Sequence, residues 1–488
     1  LDSKMEQISV WFAVSEAQGL VKSGGLADVA KALPKSLSQL GQQVAIVLPA
    51  YRSIPDKNSL PVVLETDLTH WPHSSYKVRQ TELDGVPVYL IDNDHYFDRP
   101  ELYAEQNQAY ADNGERFSFF SAASLDVLPK LGIKPNVIHA NDWHTGLIPF
   151  LLKTRYRYDA YYEGMKSVLT IHNAIFKGIF SYHELEIIPE LNLNGMEFLR
   201  YGVDHVSMLR AGIAYADKIN AVSPNYACEL LTPLGSHGLV DDFVRRARDL
   251  HGIVNGCDYS EWDPKTDQFL PQTYSDDAAS LQAGKQAAKL ALQEEVHLPT
   301  RPVPMFGMVC RLTHQKGFHY LLPIIEAFLR NDVQLVIVGT GEPEVAGRLR
   351  KLADKYSEQF AFVETYSNKL AHWVEAGADF FLMPSEFEAC GLNQIYSMAY
   401  GTLPIVREVG GLKDTVVDYD KDPHEATGFG FLEPSPEALL IIMQRALLFY
   451  LQQPTQFLEV QQRAMRRDFS WEVSAQEYIK MYRQALFD

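Results

Sequence analysis

Val21-Lys22-Ser23-Gly24-Gly25-Leu26-Ala27-Asp28-Val29 follows the apolar run Ile8–Val14 and leads into Leu26–Leu40, where apolar residues recur at helical spacing. A buried strand, a glycine-rich turn and a helix, in that order, open a doubly wound α/β sheet. Two glycines let backbone N–H groups approach a ligand, the helix N-terminus favours an anion, and Lys22 adds a full positive charge. The stretch reads as a cradle for a phosphate or a sugar. A bare Gly-Gly also fits a tight strand-to-helix turn, and it is the adjacent lysine that favours a ligand. The spacing is neither G-x-G-x-x-G nor G-x-x-x-x-G-K-[ST], so nicotinamide binding and Walker-type ATP hydrolysis lose their main support.

Working outward, short apolar runs rich in β-branched residues recur at Gln43–Leu48, Val86–Ile91, Asn136–Ala140, Ser167–Ile171, Lys218–Val222 and Gly252–Val254. They lack alternation, as strands of a parallel sheet covered on both faces do. Helical patterns such as Asn113–Leu128 lie between them. The alternation restarts at Val303–Cys310 and continues through Gln334–Val338, Phe360–Val363, Ala378–Met383 and Leu403–Val406. Two Rossmann-like sheets are the economical solution for 488 residues, a length beyond one ordinary core. After Gly317 one apolar face recurs through Leu329, interrupted by Pro323, which bends or delays that helix. The join is the polar, proline-bearing stretch Asn255–Pro304, with one helix expected near Gly284–Val296. The tail reads as two helices separated near Asp468–Trp471, with Ser470 as the cap of the last.

The charge balance of 44 basic against 62 acidic residues, −18 net, argues against a general attraction to nucleic acid or to an anionic membrane surface. No run approaches the roughly twenty apolar residues of a membrane span, and Ile8–Val14 is too short for a signal segment. Leu1–Lys4 reads as a remnant ahead of a start at Met5. Four cysteines, Cys228, Cys257, Cys310 and Cys390, show no metal-ligand spacing and make no disulfide framework, which favours a reducing, cytoplasmic setting.

Further polar clusters fall at predicted strand ends, where open parallel sheets bind ligands. His139-Ala140-Asn141-Asp142-Trp143-His144 and Thr170-Ile171-His172-Asn173 supply hydrogen-bonding groups suited to sugar hydroxyls, chiefly Asp142, His172 and Asn173. Each histidine taken alone is more often a structural residue. A metal held by His139, Asp142 and His144 lacks a fourth ligand and ranks low. In the second half, Arg311-Leu312-Thr313-His314-Gln315-Lys316-Gly317 places two cations after a strand, as a diphosphate leaving group needs. A solvated surface pair has the same appearance. Pro384-Ser385-Glu386-Phe387-Glu388-Ala389-Cys390-Gly391-Leu392 leads into a helix whose N–H groups offer a phosphate seat, with Glu388 placed for the sugar. Cys390 is read as a neighbour of the donor phosphate whose thiol is open to oxidation. Gly410-Gly411 precedes another helix.

Together, Lys22-Ser23-Gly24-Gly25-Leu26, His172-Asn173, Arg311 with Lys316, Glu388-Ala389-Cys390-Gly391-Leu392 and Gly401-Thr402-Leu403-Pro404 leading to Gly410-Gly411-Leu412 resemble the bacterial glycogen synthase and plant starch synthase family, in matching order over nearly the whole chain. The resemblance implies a GT-B fold: two Rossmann-like domains facing across a deep cleft, spanning 5–256 (glucan acceptor side) and 257–469 (nucleotide-sugar side), with a helix at 470–488 crossing back to the first. It implies transfer of glucose from a nucleotide sugar, usually ADP-glucose in bacteria, to the non-reducing 4-OH of an α-1,4-glucan (glycogen or a maltooligosaccharide) with retention. UDP-glucose stays open as a donor, because base contacts are few. No metal or cofactor is implied, and a pyridoxal-phosphate lysine motif, as a phosphorylase needs, is not evident.

By motif match, Lys22, Gly24 and Gly25 approach the donor phosphates and sugar, while Asp142, His172 and Asn173 line the glucose pocket. Arg311 and Lys316 bind the departing diphosphate, Glu388 contacts the transferred glucose, and Cys390, Gly391 and Leu392 hold it through main-chain groups. Tyr366 takes the place of an adenine-stacking aromatic. Closure about Asn255–Trp262 and Asp468–Trp471 would assemble the site. Relatives of the sucrose-synthase type carry a second glutamate eight positions after the first. Here that position is Tyr396, so no paired-carboxylate mechanism is expected. Rivals are a transferase with a small acceptor and a glucan-binding protein without turnover.

Overall fold

The computed structural model describes residues 7–192 and 194–488; the expected start at Met5 lies outside them. The chain forms two compact units, one made of residues up to Ile253 together with Trp471–Asp488, the other of Val254–Ser470.

The first unit is built on nine strands: β1 (Ser9–Ala13), β2 (Gln43–Pro49), β3 (Val62–Asp67), β4 (Ser75–Leu83), β5 (Val86–Asp92), β6 (Val137–Asn141), β7 (Lys166–Ile171), β8 (Lys218–Ala221) and β9 (Leu250–Gly252). Their order is β9-β8-β7-β6-β1-β2-β5-β4-β3. All neighbours are parallel except β3 with β4 and β4 with β5, so the sheet is mixed rather than purely parallel. The antiparallel edge escapes an apolar-run search because it is solvated. At the start of β4, buried Tyr76 and Val78 alternate with exposed Ser75 and Lys77, a period-two pattern. The last strand lies two residues earlier than the run Gly252–Val254. Gly252 ends it, pressed so closely on Pro224 that a Cβ there would come within 2.5 Å of backbone.

The second unit has six parallel strands, β10 (Met305–Val309), β11 (Gln334–Val338), β12 (Phe360–Val363), β13 (Phe380–Met383), β14 (Leu403–Arg407) and β15 (Phe429–Phe431), ordered β12-β11-β10-β13-β14-β15. Three-residue β15 is too short to stand out in sequence. The helix expected near Gly284 spans Ala278–Glu295, because Asp277 caps it by accepting from the Ser280 N–H at 3.2 Å. Pro323 breaks the segment after Gly317 into helix Phe318–Leu321, a 3-10 turn Leu322–Ile324 and helix Ile325–Phe328. The core of this unit is continuous from Phe306, Leu335 and Ile337 on the strands to Leu439 and Phe457 on the covering helices.

Helix Trp471–Phe487 belongs to the first unit. The Tyr482 hydroxyl lies 2.6 Å from His139 Nδ1, and His139 Nε2 lies 2.7 Å from Thr170 Oγ1. The Tyr478 hydroxyl accepts from Asn220 Nδ2 at 2.9 Å. Burial pushes His139 down to about 3, so the ring is neutral and each of its nitrogens needs a partner. Tyr482→Phe strands one of them. The expected loss is about 1–3 kcal/mol, read as a fall of several degrees in Tm by calorimetry. An unchanged Tm would remove this anchoring role.

Candidate active site

Each sheet has one strand flanked on both sides by strands that wind away from it, β1 between β2 and β6, and β10 between β11 and β13. Such a switch point leaves a crevice beyond the carboxyl ends of the central strands. The motifs singled out in sequence follow these strands: Lys22–Gly25 after β1, Asp142 after β6, Arg311–Lys316 after β10 and Pro384–Leu392 after β13.

At the glycine pair the backbone is open rather than packed. Gly24 is the extended N-cap of helix Gly25–Gln39, with φ −158° and ψ −166°, a conformation open to any residue. A Cβ on Gly25 would meet nothing within 4 Å, and one on Gly24 only a Glu16 oxygen at 3.9 Å. Neither packing nor backbone angle demands glycine, so what the missing side chains leave is open backbone at a helix N-terminus. The turn is held from behind by Glu16, 3% exposed, which accepts from the Ser23 N–H at 2.7 Å and the Ser23 hydroxyl at 2.6 Å. Burial raises its carboxyl above the usual range. Sequence reasoning missed Glu16, although an acid between a buried strand and a glycine turn is a usable signal. Lys22 is partly exposed and pairs with Asp28 at 2.7 Å.

Asp142 sits in strained backbone, φ 57° and ψ −171°, a region nearly reserved for glycine. That strain aims its carboxyl at the next loop, where Oδ1 accepts from the His172 N–H at 2.7 Å and the Asn173 N–H also donates to it. His172 Nε2 lies 3.0 Å from Asn141 Oδ1, while Asn141 Nδ2 donates to the Ala13 carbonyl at 3.0 Å. The amide orientation makes Nε2 the protonated nitrogen, and burial holds the imidazole near 3, neutral. Nδ1 is left as an acceptor for a ligand hydroxyl. His139, Asp142 and His144 do not converge on a metal position. His139 is taken by Tyr482 and Thr170, and His144 stacks on Trp143 at 4.0 Å.

Burial pushes the Asp142 carboxyl up to about 7, against the lowering effect of the two N–H donors. The folded state therefore keeps a proton that the unfolded chain releases near pH 4. Stability contributed by this group falls as pH rises through the window from about 4 to 7 and is level above it. Asp142→Asn is expected to remove that slope, so the variant's Tm gains on the wild type between pH 5 and 7. Parallel Tm curves would contradict the assignment.

In the second unit the two loops lock together. Lys316 Nζ lies 2.8 Å from Glu388 Oε2, with side chains only 19% and 12% exposed, and Ser385 Oγ donates to the same oxygen at 3.3 Å. Glu386 N–H donates to the Gln315 carbonyl at 2.8 Å, and Gln315 Nε2 to the Phe387 carbonyl at 3.3 Å. Glu386 in turn takes His319 Nε2 at 2.7 Å and the Tyr320 hydroxyl. Arg311 is exposed and makes no side-chain hydrogen bond or ion pair among the described residues, a free cation in a chain of net charge −18. Gly391 (φ 78°) and Leu392 precede the seven-residue helix Asn393–Ala399. Tyr366 is 79% exposed in the loop after β12. Tyr396 stacks face to face on Trp262 at 4.1 Å, so an aromatic contact occupies the position of the second glutamate. One expectation fails: the Cys390 thiol is buried and pushed up to about 12 by that burial, which removes the thiolate on which oxidation depends. No helix among the described residues is long and apolar enough to cross a membrane.

Two Rossmann-like units, one with an open glycine turn and the other with a lysine held against a carboxylate, define a glycosyltransferase of the GT-B fold. Residues 9–245 match the starch synthase catalytic domain and residues 292–450 the glycosyl transferases group 1 family. The chain is 78% identical to the glycogen synthase of Vibrio cholerae serotype O1 over 483 residues, 99% of this chain and all of that one. It is 59% identical to the glycogen synthase of Aliivibrio fischeri over 480 residues, 98% of this chain and 99% of the other. The catalytic domain of starch synthase IV from Arabidopsis thaliana, bound to ADP and acarbose, superposes with a TM-score of 0.87 at 30% identity, over 99% of each chain. Sucrose-phosphate synthase from Thermosynechococcus elongatus shares the fold at 19% identity, TM-score 0.59, over 98% of each chain. The chain belongs to the glycogen synthase and starch synthase family of retaining glycosyltransferases.

Proposed function

We propose that this protein transfers glucose from ADP-glucose to the non-reducing 4-OH of an α-1,4-glucan with retention, extending glycogen in the cytoplasm. The single observation that carries the site assignment is the Lys316 ammonium held 2.8 Å from Glu388 between two mutually bonded loops, with unpaired Arg311 at the start of one of them. An ammonium has three donors, so Lys316 can keep Glu388 and still face a diphosphate. Arg311 adds a planar fork that suits phosphate oxygens. The second unit, residues 254–470, then takes the nucleotide sugar, with Tyr366 against the base, Glu388 on the glucose and Cys390–Leu392 on it through main-chain groups. Lys22, Gly24 and Gly25 serve the donor phosphates and sugar; Asp142, His172 and Asn173 serve the glucose hydroxyls. The first unit carries the acceptor.

With no carboxylate at position 396, the reading favours front-face displacement. The bond from glucose C1 to the diphosphate oxygen breaks, and the acceptor O4 bonds to C1 on the same face. The O4 proton passes to the departing phosphate oxygen, and ADP leaves. The protein's part is positioning together with positive charge fixed where negative charge develops. Initial rates of nucleotide release with ADP-glucose and with UDP-glucose, each with glycogen, fructose or glucose phosphate as acceptor, test the reading. Release stimulated by fructose or glucose phosphate and not by glycogen would replace it with a small-acceptor transferase, and no release with any acceptor would leave a glucan-binding protein.

A further inference from the structure

Beyond His172-Asn173 the chain continues Ala174-Ile175-Phe176-Lys177-Gly178-Ile179, and its backbone is tied down at almost every residue. The Ala174 N–H donates to the Tyr226 hydroxyl at 2.9 Å, the Ile175 N–H to Asn173 Oδ1 at 3.1 Å and the Phe176 N–H to the Asn173 carbonyl at 3.4 Å. The Lys177 carbonyl accepts from the Ser207 hydroxyl at 2.7 Å and the Leu209 N–H at 3.1 Å, and the Gly178 carbonyl from the Met208 N–H at 2.9 Å. Gly178 (φ 60°) is pressed on Trp143, where a Cβ would come within 2.7 Å of the ring.

A strap held this firmly still leaves the Phe176 ring 61% exposed, with Ile175 and Ile179 also exposed beside it. Three exposed apolar side chains grouped on one fixed strap, rather than scattered singly, point to a binding surface. Its chemistry selects the occupant. The strap carries no acidic group and one cation, Lys177, whose ammonium lies over the Tyr201 ring at 5.8 Å. One ring with two flanking aliphatics falls far short of the roughly 800 Å² per partner that a stable protein interface covers. It matches a pyranose, whose C–H face stacks on an aromatic ring while its hydroxyl rim bonds to surrounding polar groups. The patch is also continuous in sequence with His172 and Asn173.

We propose that Phe176 is an acceptor platform, stacking on a glucose unit of the α-1,4-glucan adjacent to the reacting one, with Ile175 and Ile179 extending the apolar floor. This rests on the reading given under Proposed function. The test is the KM for maltoheptaose and, separately, for ADP-glucose in wild type, Phe176→Ala and Phe176→Tyr, with Tm measured alongside. Phe176→Ala is expected to raise the maltoheptaose KM about five- to tenfold with donor KM and Tm unmoved, and Phe176→Tyr to stay within about twofold of wild type. An unchanged acceptor KM, donor and acceptor KM rising together, or a Tm loss that tyrosine does not restore would each overturn the platform while leaving the functional reading intact. Wild type that releases no ADP in response to maltoheptaose would overturn the functional reading and the platform with it.

Discussion

Lys316→Ala is expected to lower kcat by about 10²–10³-fold, equivalent to about 2.7–4 kcal/mol of transition-state stabilisation, with the KM for glucan little changed. The ammonium is largely buried and aimed by Glu388, so it is fixed before substrate arrives and needs no reorganisation as the diphosphate departs. Its removal also leaves the Glu388 carboxylate with Ser385 Oγ as its hydrogen-bond donor, so a loss of Tm accompanies the loss of turnover. The double variant Lys316→Ala/Glu388→Gln separates the two effects. It should recover Tm, because the stranded charge is gone, without recovering kcat. A single variant that turns over within about threefold of wild type would sink the assigned role.

The second large effect concerns Gly317, the residue after that lysine. Its φ of 84° is left-handed, and a Cβ would sit 1.8 Å from the Pro384 carbonyl oxygen. Gly317→Ala therefore forces apart the two loops that bring Lys316 to Glu388. The expected outcome is a stability loss of roughly 3 kcal/mol or more and a fall in kcat at least as large as that of Lys316→Ala. Gly25→Ala is the informative contrast. Open space and an ordinary backbone predict an unchanged Tm, while the added methyl intrudes on the bare N–H groups and raises the donor KM. Equal Tm losses in both variants would mean that the Gly24-Gly25 turn is structural after all.

The fold was legible because its signals are local. Apolar runs without alternation mark the strands from Gln43–Pro49 to Leu403–Arg407 to within two residues at their ends. What escaped was solvated or very short: the charged edge Val62–Asp67 with Ser75–Leu83, and Phe429–Phe431. Candidate site residues could be named from sequence wherever the residue type itself carries the chemistry, as in Lys22, Asp142, His172, Arg311 and Lys316. Glu16 and Phe176 were missed because their meaning lies in exposure and partners, one acid sealed behind the glycine turn and one ring turned outward.

By itself the sequence determined two α/β units, the polar clusters at their strand ends, and the family. Those follow from patterns within ten or so residues, where periodicity, glycine turns and charge type act. Only the tertiary structure decided that Lys316 meets Glu388 across 72 positions, that Tyr482 meets His139 across 343, and that Gly25 faces open space while Gly317 cannot accept a methyl. Residues so far apart in the chain come within hydrogen-bonding distance through the order of strands in a sheet and the packing of the last helix on it, which no local pattern encodes.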